Sequence, residues 1–318
     1  MPGIFDSLHL LDGPALADRI TMRSAVDALQ EVLRSGFDPD GDPARTIVDV
    51  RHGQLLLMPS DVGAYAGQKL ATVAPANPAR GLERIQAIYV VLDADTLAPV
   101  ALLDGTELTS IRTPAMSAAV VDVVAPANAG SLVVFGTGPQ GVRHVEAMRA
   151  IRPITRVRFV GRDRERAARA VAAVATGGLD VAVGTPADVA DADLVVCATT
   201  AREPLFDHAL VRGRAVVVAV GSHEPDAREL PGALLGRARV IVESRRVALA
   251  EAGDVVLAIG EGHLSPDALV PMSTLFDDPN GDDTGPEASA RPVVVKTCGM
   301  GWQDLAVAQL ALTNDRNA

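Results

Sequence analysis

The residues of this chain with the clearest capacity for chemistry are three glycines. Gly136-Thr137-Gly138-Pro139-Gln140-Gly141 has the spacing G-x-G-x-x-G. The apolar run Leu132, Val133, Val134, Phe135 leads into it, and Val142, Val145 and Met148 recur on one helical face after it. Strand, glycine turn and helix in that order form the fingerprint of dinucleotide binding. The first glycine permits the tight turn, the second lets backbone approach a pyrophosphate, and the third lets the helix pack on the strand. The helix N-terminus then offers N–H groups and the positive end of its dipole to phosphates. Such turns also arise for packing alone, so the strand and helix on either side carry the assignment. The next strand, Arg156–Val160, runs into Gly161-Arg162-Asp163-Arg164. An acid at this place bonds the ribose 2′-hydroxyl of NAD, whereas an arginine suits the 2′-phosphate of NADP. Arg162 is a permanently charged donor fork of the second kind. Asp163 is also placed to cap the following helix, which would remove it from ribose recognition. The sequence therefore favours NADPH over NADH, the plain alternative being that Arg162 and Arg164 are solvated charges.

Composition sets the frame around this site. At 318 residues, 48% hydrophobic and 22% charged, the chain reads as globular and long enough for two cores. A net charge of −11 leaves no electrostatic footprint for nucleic acid or an anionic membrane. Two cysteines, Cys197 and Cys298, both in apolar runs, suit a reducing, cytoplasmic setting. The first residues carry acids and no basic run, so no signal peptide is expected. The long apolar stretch 114–135 is interrupted by Asp122, Pro126, Asn128 and Gly130, so no membrane span is expected. The acidic segment Asp277–Glu287 lacks a glycine at the sixth position from Asp278, and reads as a solvated loop rather than a calcium site. No metal site is expected.

The elements that must hold the site fall into two patterns. Before residue 113, one helix (Met22, Val26, Leu29 and Val32 on one face, Thr21 as cap) precedes several consecutive strands. These are Thr46–Val50, Gln54–Met58, Ile85–Asp93 and Val100–Asp104, with Ala94–Pro99 as a hairpin connection. The segment 67–81 is too rich in Pro, Asn and Gly to be regular throughout. Strands without intervening helices indicate an antiparallel sheet. Thr113 and Pro114 are placed as N-cap and first residue of a helix, which puts the domain boundary near them. From Ser131 onward, strands (Arg156–Val160, Val181–Val183, Leu194–Ala198, Ala215–Val220, Val240–Val242, Val293–Lys296) alternate with helices. That alternation predicts an α/β class fold: a doubly wound, Rossmann-type parallel sheet beside a separate α+β domain. Trp302–Leu312 reads as a closing helix.

Five blocks together resemble the ornithine cyclodeaminase/mu-crystallin family: GQKLATVAPANPARG (67–81), ALLDGTELTSIRTPAMSAA (101–119), VVFGTGPQG (133–141), GSHEPDAREL (221–230) and KTCGMGWQDLAVA (296–308). The resemblance covers nearly the whole chain. It implies a homodimer built through an N-terminal substrate-binding and dimerisation domain (1–117, to which 297–318 return) and a Rossmann domain (118–296). It also implies that Arg45, Lys69 and Arg112 are the substrate-binding cations. Their chemistry agrees, since arginine forks and a lysine can hold a 2-amino or 2-imino acid by its carboxylate. Arg112, just before the expected helix start, would gain from its dipole. Thr199 or Thr200, and Thr297, fall where the family touches the cofactor; helix caps or turn hydroxyls are the alternative reading.

In one place the chain departs from the cyclodeaminases of the family. Where they carry an aspartate that handles the substrate's amines, this chain has His223, with Asp226 as a possible substitute three residues on. An imidazole offers no charge to a distal ammonium but can donate or accept a proton near pH 7; a loop hydrogen bond is its plainer role. The resemblance with this departure implies an NAD(P)H-dependent oxidoreductase acting on the C–N bond of a small amino or imino acid. Reduction of a 2-imino acid is the favoured direction, with Lys69, Arg112 and His223 as the catalytic set. Ornithine cyclodeamination with bound NAD and a cofactor-dependent binding protein without turnover are the alternatives.

Overall fold

A computed structural model describes residues 3, 8–277 and 290–313. Most of the acidic segment read as a solvated loop, from 278 onward, lies outside the described residues. Among the described residues no helix is long and apolar enough to cross a membrane, and no group of three or more His, Cys, Asp or Glu could hold a metal ion. The chain divides into two compact units, Met1–Thr113 with Gly299–Ala318, and Pro114–Cys298.

The first unit contains β1 (His9–Leu11), α1 (Gly13–Arg19), α2 (Met22–Arg34), β2 (Thr46–Val50), β3 (Gly53–Val62), β4 (Tyr65–Val73), β5 (Ile85–Asp93) and β6 (Pro99–Asp104). Thr21 caps α2 in a reciprocal pair with Ser24, and Ala25, Val26, Leu29 and Leu33 form its buried face. The six strands lie in the order β1-β6-β5-β4-β3-β2, antiparallel except for β1 beside β6. Segment 67–81 is regular in its first half, inside β4, and irregular after Val73. The face of the sheet carrying Met58, Lys69 and Tyr89 is buried. Leu57, Leu70, Ile88, Val90, Leu102 and Leu10 line up across the opposite face by register. There Leu10 is 73% and Ile88 51% exposed, and the other four are half-buried.

The next helix, α3, corrects an expectation. It runs unbroken over Gly105–Val124, with Pro114 inside it. Thr113 is therefore not an N-cap. Asp104 does that work, its Oδ1 accepting the N–H groups of Thr106 at 2.9 Å and Glu107 at 3.0 Å. Pro114 removes one N–H that would otherwise reach the carbonyl of Ser110, a local loss that the buried face of the helix (Leu108, Ile111, Ala115, Ala119) outweighs. The unit boundary consequently falls inside α3, at 113/114 rather than 117/118. The second boundary falls at 298/299 rather than 296/297, because Thr297 N–H reaches Ala219 and Cys298 N–H reaches Glu243 within the second unit.

The second unit contains β7 (Ser131–Phe135), α4 (Pro139–Ile151), β8 (Arg156–Val160), α5 (Arg164–Val174), β9 (Asp180–Val183), β10 (Leu194–Cys197), β11 (Val216–Ala219), α6 (Gly232–Arg237), β12 (Arg239–Val242), α7 (Arg245–Glu251), α8 (Gly253–Gly260), β13 (Leu269–Pro271), α9 (Thr274–Asp277) and β14 (Val293–Lys296). All eight strands are parallel, in the order β13-β12-β14-β11-β10-β7-β8-β9. The chain leaves β7 outward to β8 and β9, then returns to β10 and β11 on the other side. This is the Rossmann order, and its reversal between β7 and β10 marks where ligands bind, at the strands' carboxyl ends.

The last helix, α10 (Gly301–Thr313), belongs to the first unit. Trp302 N–H donates to Asp42 at 3.2 Å, Gln309 donates to the Val62 carbonyl at 3.1 Å, and the Trp302 ring meets Phe37 at 5.5 Å. Gly301 lies so close to β3 that a Cβ there would sit 2.6 Å from the Pro59 carbonyl. α10 thereby brings Gln303 and Asp304, both fully buried, to the sheet face that carries Lys69.

Candidate active site

The glycine turn follows β7 directly. Gly136 takes φ +111°, and a Cβ on it would lie 2.3 Å from the Ala198 carbonyl at the end of β10. Gly141 is equally constrained, since a Cβ there would lie 2.1 Å from the Gly136 carbonyl. Gly138 differs. A Cβ at this position would meet nothing within 4 Å, so the protein itself gives no packing reason for a glycine there. It is also the residue before α4, with no side chain capping the helix, and Pro139 opens the first turn. Open space in front of uncapped N–H groups fits a phosphate brought close to backbone. Around it, the methyl of Thr137 sits 2.7 Å from where a Cβ on Gly161 would be, and the buried Oε1 of Gln140 has no hydrogen-bond partner. His144 is held neutral one turn into α4: Nδ1 lies 2.7 Å from the Gln140 carbonyl, Nε2 2.9 Å from Ser117 Oγ, and burial lowers its pKa to about 4. Beyond β8, Asp163 caps α5, accepting from Glu165 and Arg166 N–H. Arg162 is exposed and makes no hydrogen bond or ion pair with the described residues.

In the first unit, the three cations converge. Lys69 on β4 and Arg112 in the interior of α3 share one carboxylate: Asp304 Oδ2 lies 2.6 Å from Lys69 Nζ, and Oδ1 3.2 Å from Arg112 Nε. Arg112 Nη1 also donates to Gln303 Oε1 at 3.1 Å, and Arg45 Nη2 donates to the Gly299 carbonyl at 3.1 Å. Gly299, at φ +81°, makes room for the guanidinium, since a Cβ there would lie 2.8 Å from Arg112 Nη1. Arg112 sits well inside α3, so the expected help from a helix N-terminus does not apply; its anchors are Asp304 and Gln303 instead. Burial, with Arg112 and Arg45 nearby, lowers the Lys69 pKa to about 8 against the opposing pull of Asp304. Lys69 and Arg112 thus share the carboxylate of Asp304 in a buried place. Neither Asp304 nor Gln303 was singled out from sequence. The signal was there: one acid and two amides in a closing helix whose other residues are almost all apolar.

The remaining candidates lie in the second unit, at the carboxyl ends of the sheet. Thr199 follows β10, and its N–H and Oγ1 both donate to Glu229 Oε1 at 2.7 Å while Oγ1 accepts from Ala201 N–H. Its hydroxyl thus holds the turn, the alternative role. Thr297 is buried after β14, and its hydroxyl makes no hydrogen bond with the described residues. His223 is exposed on the loop after β11. Asp226 is engaged by Arg202, at 2.6 Å, which also holds Glu224 at 2.7 Å. Both members of this pair are exposed to solvent. Behind this loop lies a buried network. Glu229 Oε2 takes the Gly221 N–H, Asp254 Oδ1 takes the N–H groups of Glu229 and Leu230, and Lys296 Nζ donates to the carbonyls of Ala219, Ser222 and Thr297. Burial opposes the Lys296 charge, but Cys298, Asp254, Glu229 and Glu243 outweigh it and raise its pKa.

A Rossmann sheet with an open phosphate cradle, in a chain that also builds a buried cationic clamp, defines a nucleotide-dependent enzyme of small carboxylates. The comparisons narrow this class. The chain belongs to the ornithine cyclodeaminase/mu-crystallin family, whose profile matches residues 15–316. It is 36% identical to a Δ1-pyrroline-2-carboxylate reductase of Bacillus thuringiensis subsp. konkukian over 80% of this chain and 79% of that protein. To Δ1-pyrroline-2-carboxylate reductase 1 of Burkholderia multivorans it is 32% identical over 96% and 93%. The structure of the Thermococcus litoralis Δ1-pyrroline-2-carboxylate reductase in complex with NADH and L-proline superposes with a TM-score of 0.89 over 98% of both chains. At 23% identity that likeness speaks for the fold.

Proposed function

We propose that this protein is an NADPH-dependent imine reductase that converts a small cyclic 2-imino acid, of the Δ1-pyrroline-2-carboxylate type, to the corresponding amino acid. The observation that carries the reading is the buried clamp: Lys69 and Arg112 on the single carboxylate of Asp304, with Arg45 beside them. Arg112 Nη2 makes no hydrogen bond with the described residues, and Lys69 spends its short contact on Asp304 and a long one, 3.5 Å, on Thr109. Donors are therefore left for a substrate carboxylate, which fixes the α-carbon in place. An iminium accepts hydride more readily than a neutral imine. Lys69, with a pKa of about 8, and His223, on the loop after β11, are the groups able to keep the imine nitrogen protonated. Lys69 is the preferred donor because the clamp holds it beside the carboxylate.

The second unit is the cofactor-binding one. Backbone N–H groups from Gly138 to Gly141 would hold the pyrophosphate, with Gly136, Thr137, Pro139 and Gln140 shaping the turn and Thr297 offering its hydroxyl. Arg162, without partners among the described residues, would take the 2′-phosphate, and Asp163 is engaged in capping α5. When bound, the dinucleotide supplies the hydride. A homodimer formed through the exposed sheet face of the first unit follows from the apolar residues aligned there, in a reducing cytoplasmic setting that two unpaired cysteines suit. The test is NADPH oxidation with a panel of cyclic imino acids, run beside ornithine with catalytic NAD and an ammonia assay. Turnover of an imino acid with no ammonia from ornithine is expected; ammonia and proline from ornithine alone would replace this reading with cyclodeamination.

A further inference from the structure

Two buried cations resting on one buried acid is a costly arrangement unless each member has a use. Asp304 is fully buried, and each oxygen faces a different cation from a different element: Lys69 Nζ of β4 at 2.6 Å and Arg112 Nε of α3 at 3.2 Å. Its helix neighbour Gln303 holds the same guanidinium through Nη1. We propose that Asp304 is the positioning residue of the carboxylate site: it docks Lys69 and Arg112 as one clamp and supplies the counter-charge that lets a protonated imine sit beside them. The proposal rests on the imine-reductase reading and deepens it.

The chemistry follows from where the charges must lie. In a 2-imino acid the nitrogen and the carboxylate are borne by adjacent carbons, so a clamp that grips the carboxylate also places its cations near the nitrogen. Unopposed, those cations would drive the proton off the imine and off Lys69 alike. The groups facing Lys69 and Asp304 are Arg112 from α3, Arg45 from the segment before β2, Tyr89 opposite Lys69 on β5, and Asp42 beyond it. Asp42 is occupied by Ser60 Oγ at 2.7 Å and Trp302 N–H. The Tyr89 hydroxyl is buried and carries no charge to offer, its pKa raised by burial and by Asp304 and Asp42. Among the described residues, Asp304 alone touches both cations.

Trp302, the one tryptophan of the chain, lies two residues from Asp304 on α10 and gives a readout that needs no turnover. Pyrrole-2-carboxylate, a planar carboxylate of the expected size, is the probe, titrated against Trp302 fluorescence from pH 6 to 9.5. In the wild type, affinity should hold to about pH 8 and then fall about tenfold per unit as Lys69 loses its proton. Asp304→Asn keeps the shape and removes the charge: binding should weaken at least about tenfold at pH 7, and the break should move to lower pH. Asp304→Glu keeps the charge and displaces it. It should lose affinity while keeping the break near the wild-type pH, a split that a merely structural acid would not produce. Unchanged affinity and an unchanged break in Asp304→Asn would overturn the proposal. So would an Asp304→Glu profile that breaks at the same lowered pH as Asp304→Asn. If the probe behaves as expected but no imino acid is reduced, the positioning role stands and the imine-reductase reading falls.

Discussion

On the proposed reading, Arg162 is the residue that would select NADPH over NADH. Its guanidinium makes no bond to the described protein, and the neighbouring acid, Asp163, is spent on capping α5. Arg162→Ala should raise KM for NADPH by a factor corresponding to about 1.5–3 kcal/mol while leaving KM for NADH nearly unchanged. Parallel steady-state kinetics with both cofactors check it, and equal effects would remove Arg162 from 2′-phosphate recognition. Lys69→Ala and Arg112→Ala should each lose most turnover, with the loss expressed in kcat/KM for the imino acid. Arg162 was legible from its place after a strand of the dinucleotide fold, whereas Lys69 and Arg112 were legible only through the family resemblance, since a lone Lys or Arg is ordinarily a surface cation. Asp304 was not legible, since a single acid in a helix is ordinarily a solvated one. Only the packing of α10 on β3 and β4, fixed by Gly301 against Pro59, turns that position inward.

At the scale of elements, most strands and the helices α2, α4, α5 and α10 could be read from periodicity, whereas β1, β4, β13, the short helices α1 and α6–α9, and the α3 start could not. Thr113-Pro114 has the chemistry of a helix beginning, but Asp104 supplies a better-placed cap nine residues upstream of Thr113, and burial carries the helix through the proline. The strand ends of the second unit depend on a network equally invisible in sequence, because it joins Thr199, Gly221, Glu229, Asp254 and Lys296 from separate segments. Lys296→Met would leave the buried carboxylates of Asp254 and Glu229 without their cation. It should cost about 3–5 kcal/mol of stability in urea unfolding. His144 provides a pH signature for α4. Its folded pKa, about 4, lies below the unfolded value of 6.5, so between those values the unfolded chain binds the proton and the native one does not. Stability should therefore fall as pH drops from 6.5 toward 4, by about 3 kcal/mol from this one group. His144→Gln, measured by the same unfolding series, should flatten that part of the profile.

For the molecule as a whole, one unit carries the buried cluster of Lys69, Arg112 and Asp304 and an exposed apolar sheet face, the other the Rossmann sheet with its glycine turn. The apolar face gives the expectation for assembly. Ile88→Asp together with Leu70→Asp should convert a dimer to monomers in sedimentation, and a wild type that sediments as a monomer would contradict it. The chemistry has a more direct test. NADPH carrying deuterium at the transferable position of the nicotinamide is incubated with Δ1-pyrroline-2-carboxylate, and the product is analysed by mass spectrometry and NMR. Proline with one deuterium at the α-carbon, formed in step with NADPH consumption, is the predicted result. Proline without that deuterium, or proline and ammonia formed from ornithine while the imino acid is left untouched, would contradict the account.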